Sequence, residues 1–138
     1  MTGFTLVQLL VALVVLALLT AVATPRFLAY QDASQVRAAS ADVAAALAHA
    51  RQVAFERATH AAARFDTASA SLAVVSYGDT IEQRPLGALY GVSLAVTRDS
   101  ITYAANAMGF GAANTRIIVA RGRAADTLTV SRLGRVRH

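Results

Sequence analysis

The residues of this chain best equipped for chemistry are arginines crowded at one end. Arg116, Arg121, Arg123, Arg132, Arg135 and Arg137 stand there against one acid, Asp126, so residues 116–138 carry +5 while residues 1–115 balance seven Arg against seven acids. The whole excess charge of the 138-residue chain therefore lies in its last sixth. A guanidinium keeps its charge at any physiological pH and meets phosphate through two parallel hydrogen bonds, which makes the cluster a candidate clamp for double-stranded DNA. Six such contacts would give a log–log salt slope of about −5 on a duplex. Few aromatic residues interleave with these arginines in sequence, which disfavours base stacking on a single strand. The same cluster equally suits a solvated face, anionic lipid or neighbouring protein subunits.

Other chemistry is thinly represented. His49 and His60 are eleven residues apart, so on one helix they would be separated by about 16 Å of rise, too far to share a metal ion. The acids Asp32, Asp42, Glu56, Asp66, Asp79, Glu82, Asp99 and Asp126 show no calcium-loop spacing. The absence of cysteine excludes disulfides and thiolate chemistry. Residues 108–113, MGFGAA, contain Gly-x-Gly but neither the third Gly nor the Lys of a phosphate loop, so they read as a turn. The expectation is a non-enzymatic protein with no catalytic residue, metal or cofactor.

The elements that must carry the arginines begin with an apolar run at residues 3–23, free of any charged side chain. As a helix, residues 4–24 would measure roughly 31 Å, the thickness of a bilayer's hydrocarbon core. Thr5, Gln8 and Thr20 are its polar residues before Thr24. A removable secretory signal is the competing reading, because Ala21, Val22 and Ala23 supply an A-x-A site. Against it, the run lacks a basic n-region and exceeds an ordinary signal core in length. Cutting after Ala23 would give a secreted soluble protein.

The stretch GFTLVQLLVALVVLALL resembles the class III signal of type IV prepilins and type II secretion pseudopilins, where Gly precedes Phe-Thr-Leu, then Glu and a long apolar helix. The resemblance implies a leader of residues 1–3, cleavage by prepilin peptidase between Gly3 and Phe4, and methylation of the new Phe4 amine. The helix would then be kept as an anchor and assembly element. The leader here has no basic residue, so either it is short or the true start lies upstream. Gln8 stands where the family has Glu, whose carboxylate pairs with the N-terminal amine of an adjacent subunit. An amide accepts a hydrogen bond but brings no charge to a desolvated ammonium, which implies weaker fibre register, a place at the fibre tip, or a neutral variation.

Pro25 should kink or end the membrane helix. Helical spacing nevertheless resumes through Val36, Ser40, Val43, Leu47, Ala50 and Ala54, with eight alanines in residues 38–50, so residues 25–60 read as the helix's second half. One continuous helix kinked at Pro25 is favoured over two separate ones. From residue 61 the pattern alternates, and residues 61–65, 71–77, 92–97, 100–104, 116–121 and 127–131 read as strands. Leu72, Val74, Val92, Leu94, Val96, Ile117, Val119, Leu128 and Val130 should form a core facing Leu47 and Phe55. The expected class is α+β: a pilin-like long N-terminal helix, membrane-spanning in its first half, packed on an antiparallel β-sheet. Residues 61–138 would be one β-rich globular part ending in a mobile basic tail.

The ending TLTVSRLGRVRH, after the strand RIIVARGR, is similar to the GspH/FimT branch of minor pseudopilins and minor pilins. In FimT members a Gly-Arg-x-Arg element near the C-terminus binds DNA, and Gly134, Arg135, Val136 and Arg137 fit that pattern. The resemblance implies a structural subunit of a type II secretion pseudopilus or type IV pilus, serving protein secretion. It would sit as a single-pass protein of the bacterial inner membrane, with its globular part periplasmic, until assembly. Its partners would be prepilin peptidase, other pilin or pseudopilin subunits and membrane lipid. The alternative is a DNA-binding minor pilin for uptake in natural transformation, using Arg121, Arg123, Arg132, Gly134, Arg135 and Arg137. Gln8 and Pro25 would matter for assembly.

Overall fold

A computed structural model describes residues 5–110 and 114–137. The expected processing residues Gly3 and Phe4 lie outside the described residues. One helix, α1, runs from Leu6 to Glu56, a length of about 76 Å. Pro25 sits inside it, so the helix continues past the position where its end was one expectation. Proline withholds one backbone donor, and the alanine-rich second half continues the helix beyond that gap.

The two ends of α1 are closed differently. At the start, Thr5 Oγ1 accepts from the Gln8 N–H at 3.4 Å while the Gln8 side-chain oxygen accepts from the Thr5 N–H at 3.0 Å, a reciprocal capping box. At the other end Ala58 adopts φ +49°, the Ala58 N–H donates to Phe55 O and the Thr59 N–H to Ala54 O. That is the Schellman arrangement, which turns the chain back toward the first strand.

Among the described residues nine strands follow: β1 Ala61–Asp66, β2 Ser71–Ser76, β3 Asp79–Arg84, β4 Ser93–Val96, β5 Ser100–Tyr103, β6 Gly109–Phe110, β7 Thr115–Arg121, β8 Ala124–Val130 and β9 Val136–Arg137. A one-and-a-half-turn helix, α2 Leu86–Tyr90, separates β3 from β4. The pairing is antiparallel throughout, but it divides into two sheets, β3-β2-β1-β5-β6 and β4-β7-β8-β9. The second half of α1 packs on both, touching β1, β2 and β5 of one and β7 and β8 of the other.

Val36, Ser40, Val43, Leu47, Ala50 and Ala54 are all buried on the helix side, as their spacing predicts. Opposite them lie the predicted strand residues, fully buried except Val96, which is half-buried. Phe55 departs from the expectation: its side chain is 66% exposed, because Val53 and Ala54 take the inward positions of that turn. Strand β3, DTIEQR, is missing from the sequence reading because an edge strand with mostly exposed or half-buried residues carries no apolar alternation. Residues 6–31 of α1 are exposed throughout, so the apolar half of the helix projects from the globular part without cover.

Candidate functional site

The β7–β8 hairpin splits the arginine cluster into two groups. Its two-residue turn, Gly122–Arg123, holds Arg121 and Arg123 at one end, while Arg132, Arg135 and Arg137 gather at the other. From Arg123 to Thr129, the residue paired with Arg137, is about 20 Å along β8. What is one charge run in sequence is therefore two surface features.

Arg121 is committed to holding the fold. Its Nε donates to Asp32 Oδ1 of α1 at 2.9 Å, and its Nη1 donates to the Tyr90 carbonyl at the end of α2. Both carboxylate and guanidinium are largely covered. Gly122, at φ +56°, makes room for this bracket, since a Cβ there would collide with the Asp32 carboxylate. Arg123 beside it is exposed.

At the other end the expected mobile tail is instead a folded strand. β9 pairs antiparallel with β8, Val130 opposite Val136 and Thr129 opposite Arg137, after a turn in which the Gly134 N–H donates to Ser131 O and the Ser131 N–H to Arg135 O. Gly134 has φ +76° and is buried; a Cβ on it would come within 2.6 Å of Tyr103 Cε1. The glycine of the Gly-Arg-x-Arg element thus has a packing role, bringing the turn down onto the Tyr103 ring. Burial pushes the Tyr103 hydroxyl up to about 12, with the nearby Arg51 charge opposing the shift.

Arg135 and Arg137 alternate with half-buried Val136 and so point away from the core, both exposed. Across the sheet, Thr129 pairs with Arg116 on one side and Arg137 on the other. Directly paired residues share a face, so Arg116 and Arg137 lie in one row with their Cα atoms about 10 Å apart. Arg116 enters the basic surface only through this register, which the sequence does not display. Arg132 lies exposed in the adjoining turn.

Between β9 and α1 runs a groove of about 620 Å³. Ala44, Leu47, Ala48, Gln52 and Phe55 form its helix wall; Gly134 to Arg137 form the strand wall, with Tyr103 between and Arg51 on the helix side. The exposed Phe55 ring and Arg51 are features of this site that sequence reasoning missed. Their only signal was a helical position one step off the buried stripe.

A separate polar chain fastens α1 to β3 and α2. His49 Nδ1 and Glu82 Oε2 share a hydrogen bond at 2.7 Å, Arg84 Nε donates to Glu82 Oε1 at 2.7 Å, and Arg84 Nη1 donates to Asp42 Oδ1 at 2.8 Å. Tyr90 Oη donates to Asp42 Oδ2 at 2.8 Å. Burial pushes the Glu82 carboxyl up, but the bonds from His49 and Arg84 outweigh it and hold the group below its ordinary value. Donation to Asp42, with burial second, raises the Tyr90 hydroxyl. His60 lies elsewhere, its ring edge-on to Phe110 with centroids 5.5 Å apart.

In the apolar half of α1, the hydroxyls of Thr20 and Thr24 donate to helix carbonyls four residues back, at 3.1 and 2.7 Å. With those donors satisfied, the segment is long and apolar enough to cross a membrane. Gln8 is engaged locally in the capping box rather than left free along the helix.

No protein-family model and no curated protein matches the chain. Among solved structures it is similar to the type IV minor pilin FimU of Pseudomonas aeruginosa strain PAO1 in two crystal forms. The TM-scores are 0.64 and 0.60 at 14% and 13% sequence identity, over 75% and 73% of this chain and 87% and 90% of those chains. The fold is that of a type IV minor pilin, an α+β architecture with a long N-terminal helix on antiparallel sheets.

Proposed function

We propose that this chain is a minor subunit of a type IV pilus or type II secretion pseudopilus, of the GspH/FimT kind. The observation that carries the reading is the half-helix of residues 6–31, mostly apolar over residues 6–24 and exposed throughout. Nineteen such residues standing in water would forgo about 1.5–3 kcal/mol for each large side chain, a cost removed by lipid before assembly and by sister helices afterwards. The minor-pilin fold and the class III signal support the same reading. The globular part would then face the periplasm and, in a filament, the outside. Mass spectrometry of the mature protein tests it: a chain beginning at methylated Phe4 agrees, and one beginning at Thr24 sinks it.

DNA capture is the second reading, supported by the exposure of Arg116, Arg132, Arg135 and Arg137 at one end of the second sheet. With Arg121 spent on Asp32 and Arg123 at the far end of β8, the remaining four phosphate contacts would give a salt slope of about −4 on a duplex. An electrophoretic shift with Arg135→Ala/Arg137→Ala tests it. Unaltered duplex binding in that variant would rule out the Gly-Arg-x-Arg element as the site.

A further inference from the structure

The groove beside β9 combines three properties that belong together only for one class of ligand. First, β9 is the last strand of its sheet among the described residues, and the two-residue strand turns the Val136 N–H and C=O outward, a short open edge to which an extended segment can add. Second, the helix wall across from that edge is mostly apolar: Ala44 and Ala48 leave width, and the exposed Phe55 ring lines it beside Gln52. Third, the charged lining residues are all cations, Arg51 from α1 and Arg135 and Arg137 from β9, with no acid among them.

We propose that this groove is a docking site for an extended, acidic segment of a partner protein, added to β9 as a further strand. The pleat dictates the pattern of such a segment. Alternate residues would face α1 and pack beside Val136 onto Ala44, Ala48 and Phe55, so they are apolar. The residues between them would lie on the outer face beside Arg135 and Arg137, so they are Asp or Glu. Duplex DNA fits the outer arginines but has nothing to match an open strand edge or an alanine wall. A second copy of this chain is a poor donor, because no two of its eight acids stand two residues apart, as the alternating pattern requires.

The test uses the full chain in detergent micelles and a capped octapeptide alternating Glu and Val, with its Lys/Val counterpart and a twelve-base-pair duplex as controls. The Glu/Val peptide should shift the backbone amide resonances of residues 134–137 and bind more weakly as salt rises. Ala48→Trp, a substitution on the exposed face of α1 that fills the groove, should weaken this binding about tenfold or more. Arg135→Glu with Arg137→Glu should transfer preference to the Lys/Val peptide. Equal binding of the two peptides to the unaltered chain overturns the proposal, as does unchanged Glu/Val affinity in Ala48→Trp. If duplex binding or self-association proves to be what Ala48→Trp abolishes, the groove belongs to nucleic acid or to a second copy, and the peptide assignment falls.

Discussion

Gly134 lies against the ring of Tyr103 so closely that a single added methyl would sit 2.6 Å from Cε1. The contact locks the last turn of the chain onto the core and sets the direction in which Arg135 and Arg137 point. Gly134→Ala should therefore destabilise the fold by about 2 kcal/mol or more, combining the left-handed backbone penalty with the overpacking. Tyr103→Leu makes room, so in that background the same change should cost only about 1–2 kcal/mol. Urea denaturation of the four proteins gives the comparison, and equal costs in both backgrounds would show that the ring is not the obstacle.

Arg121 is tied into the fold through the Asp32 carboxylate and the Tyr90 carbonyl. Arg121→Ala should lower stability by about 1–2 kcal/mol, since it strands the half-buried Asp32 carboxylate and the Tyr90 carbonyl. Arg121→Lys should restore little of it, because an ammonium cannot reach both acceptors from one rigid fork. A double-mutant cycle with Asp32→Ala would read the coupling directly; additive losses would mean that the pair contributes nothing.

Two residues eight apart on α1 should behave in opposite ways. Leu47 is 1% exposed and its replacement by Ala should cost about 2–5 kcal/mol. Phe55 looks outward over the groove, so Phe55→Ser should change stability by only about 0.5 kcal/mol. A loss at Phe55 comparable to that at Leu47 would put the ring in the core after all.

The hydrogen bonds on Glu82 have a pH signature. Its carboxyl is held below the ordinary value in the folded chain. The ionised form therefore contributes stability above the unfolded value of about 4.3, and that contribution disappears as pH falls through the lowered folded value. Thermal melts from neutral to acid pH should show a shallower acid limb in Glu82→Gln than in the unaltered chain. Identical limbs would mean that the His49–Glu82–Arg84 chain does not discriminate protonation states.

The sequence by itself determined the elements whose signals are local. The uncharged, mostly apolar run from Leu6 to Thr24 is long enough to cross a bilayer, alanine-rich spacing makes the helix, and strict alternation marks strands such as Thr127 to Val130 with their inward faces. Tertiary structure decided what depends on distant partners. Edge strands β3 and β9 exist because a neighbour pairs with them: β3 carries no apolar alternation, and β9 is too short for its own to be read. Arg121 was separated from its basic neighbours by Asp32, eighty-nine residues away, and Arg116 was brought to Arg137 by strand register. Periodicity reports which side of an element is buried; only the packed chain reports what stands opposite, and the charges and groove at the C-terminal strand are facts of that second kind.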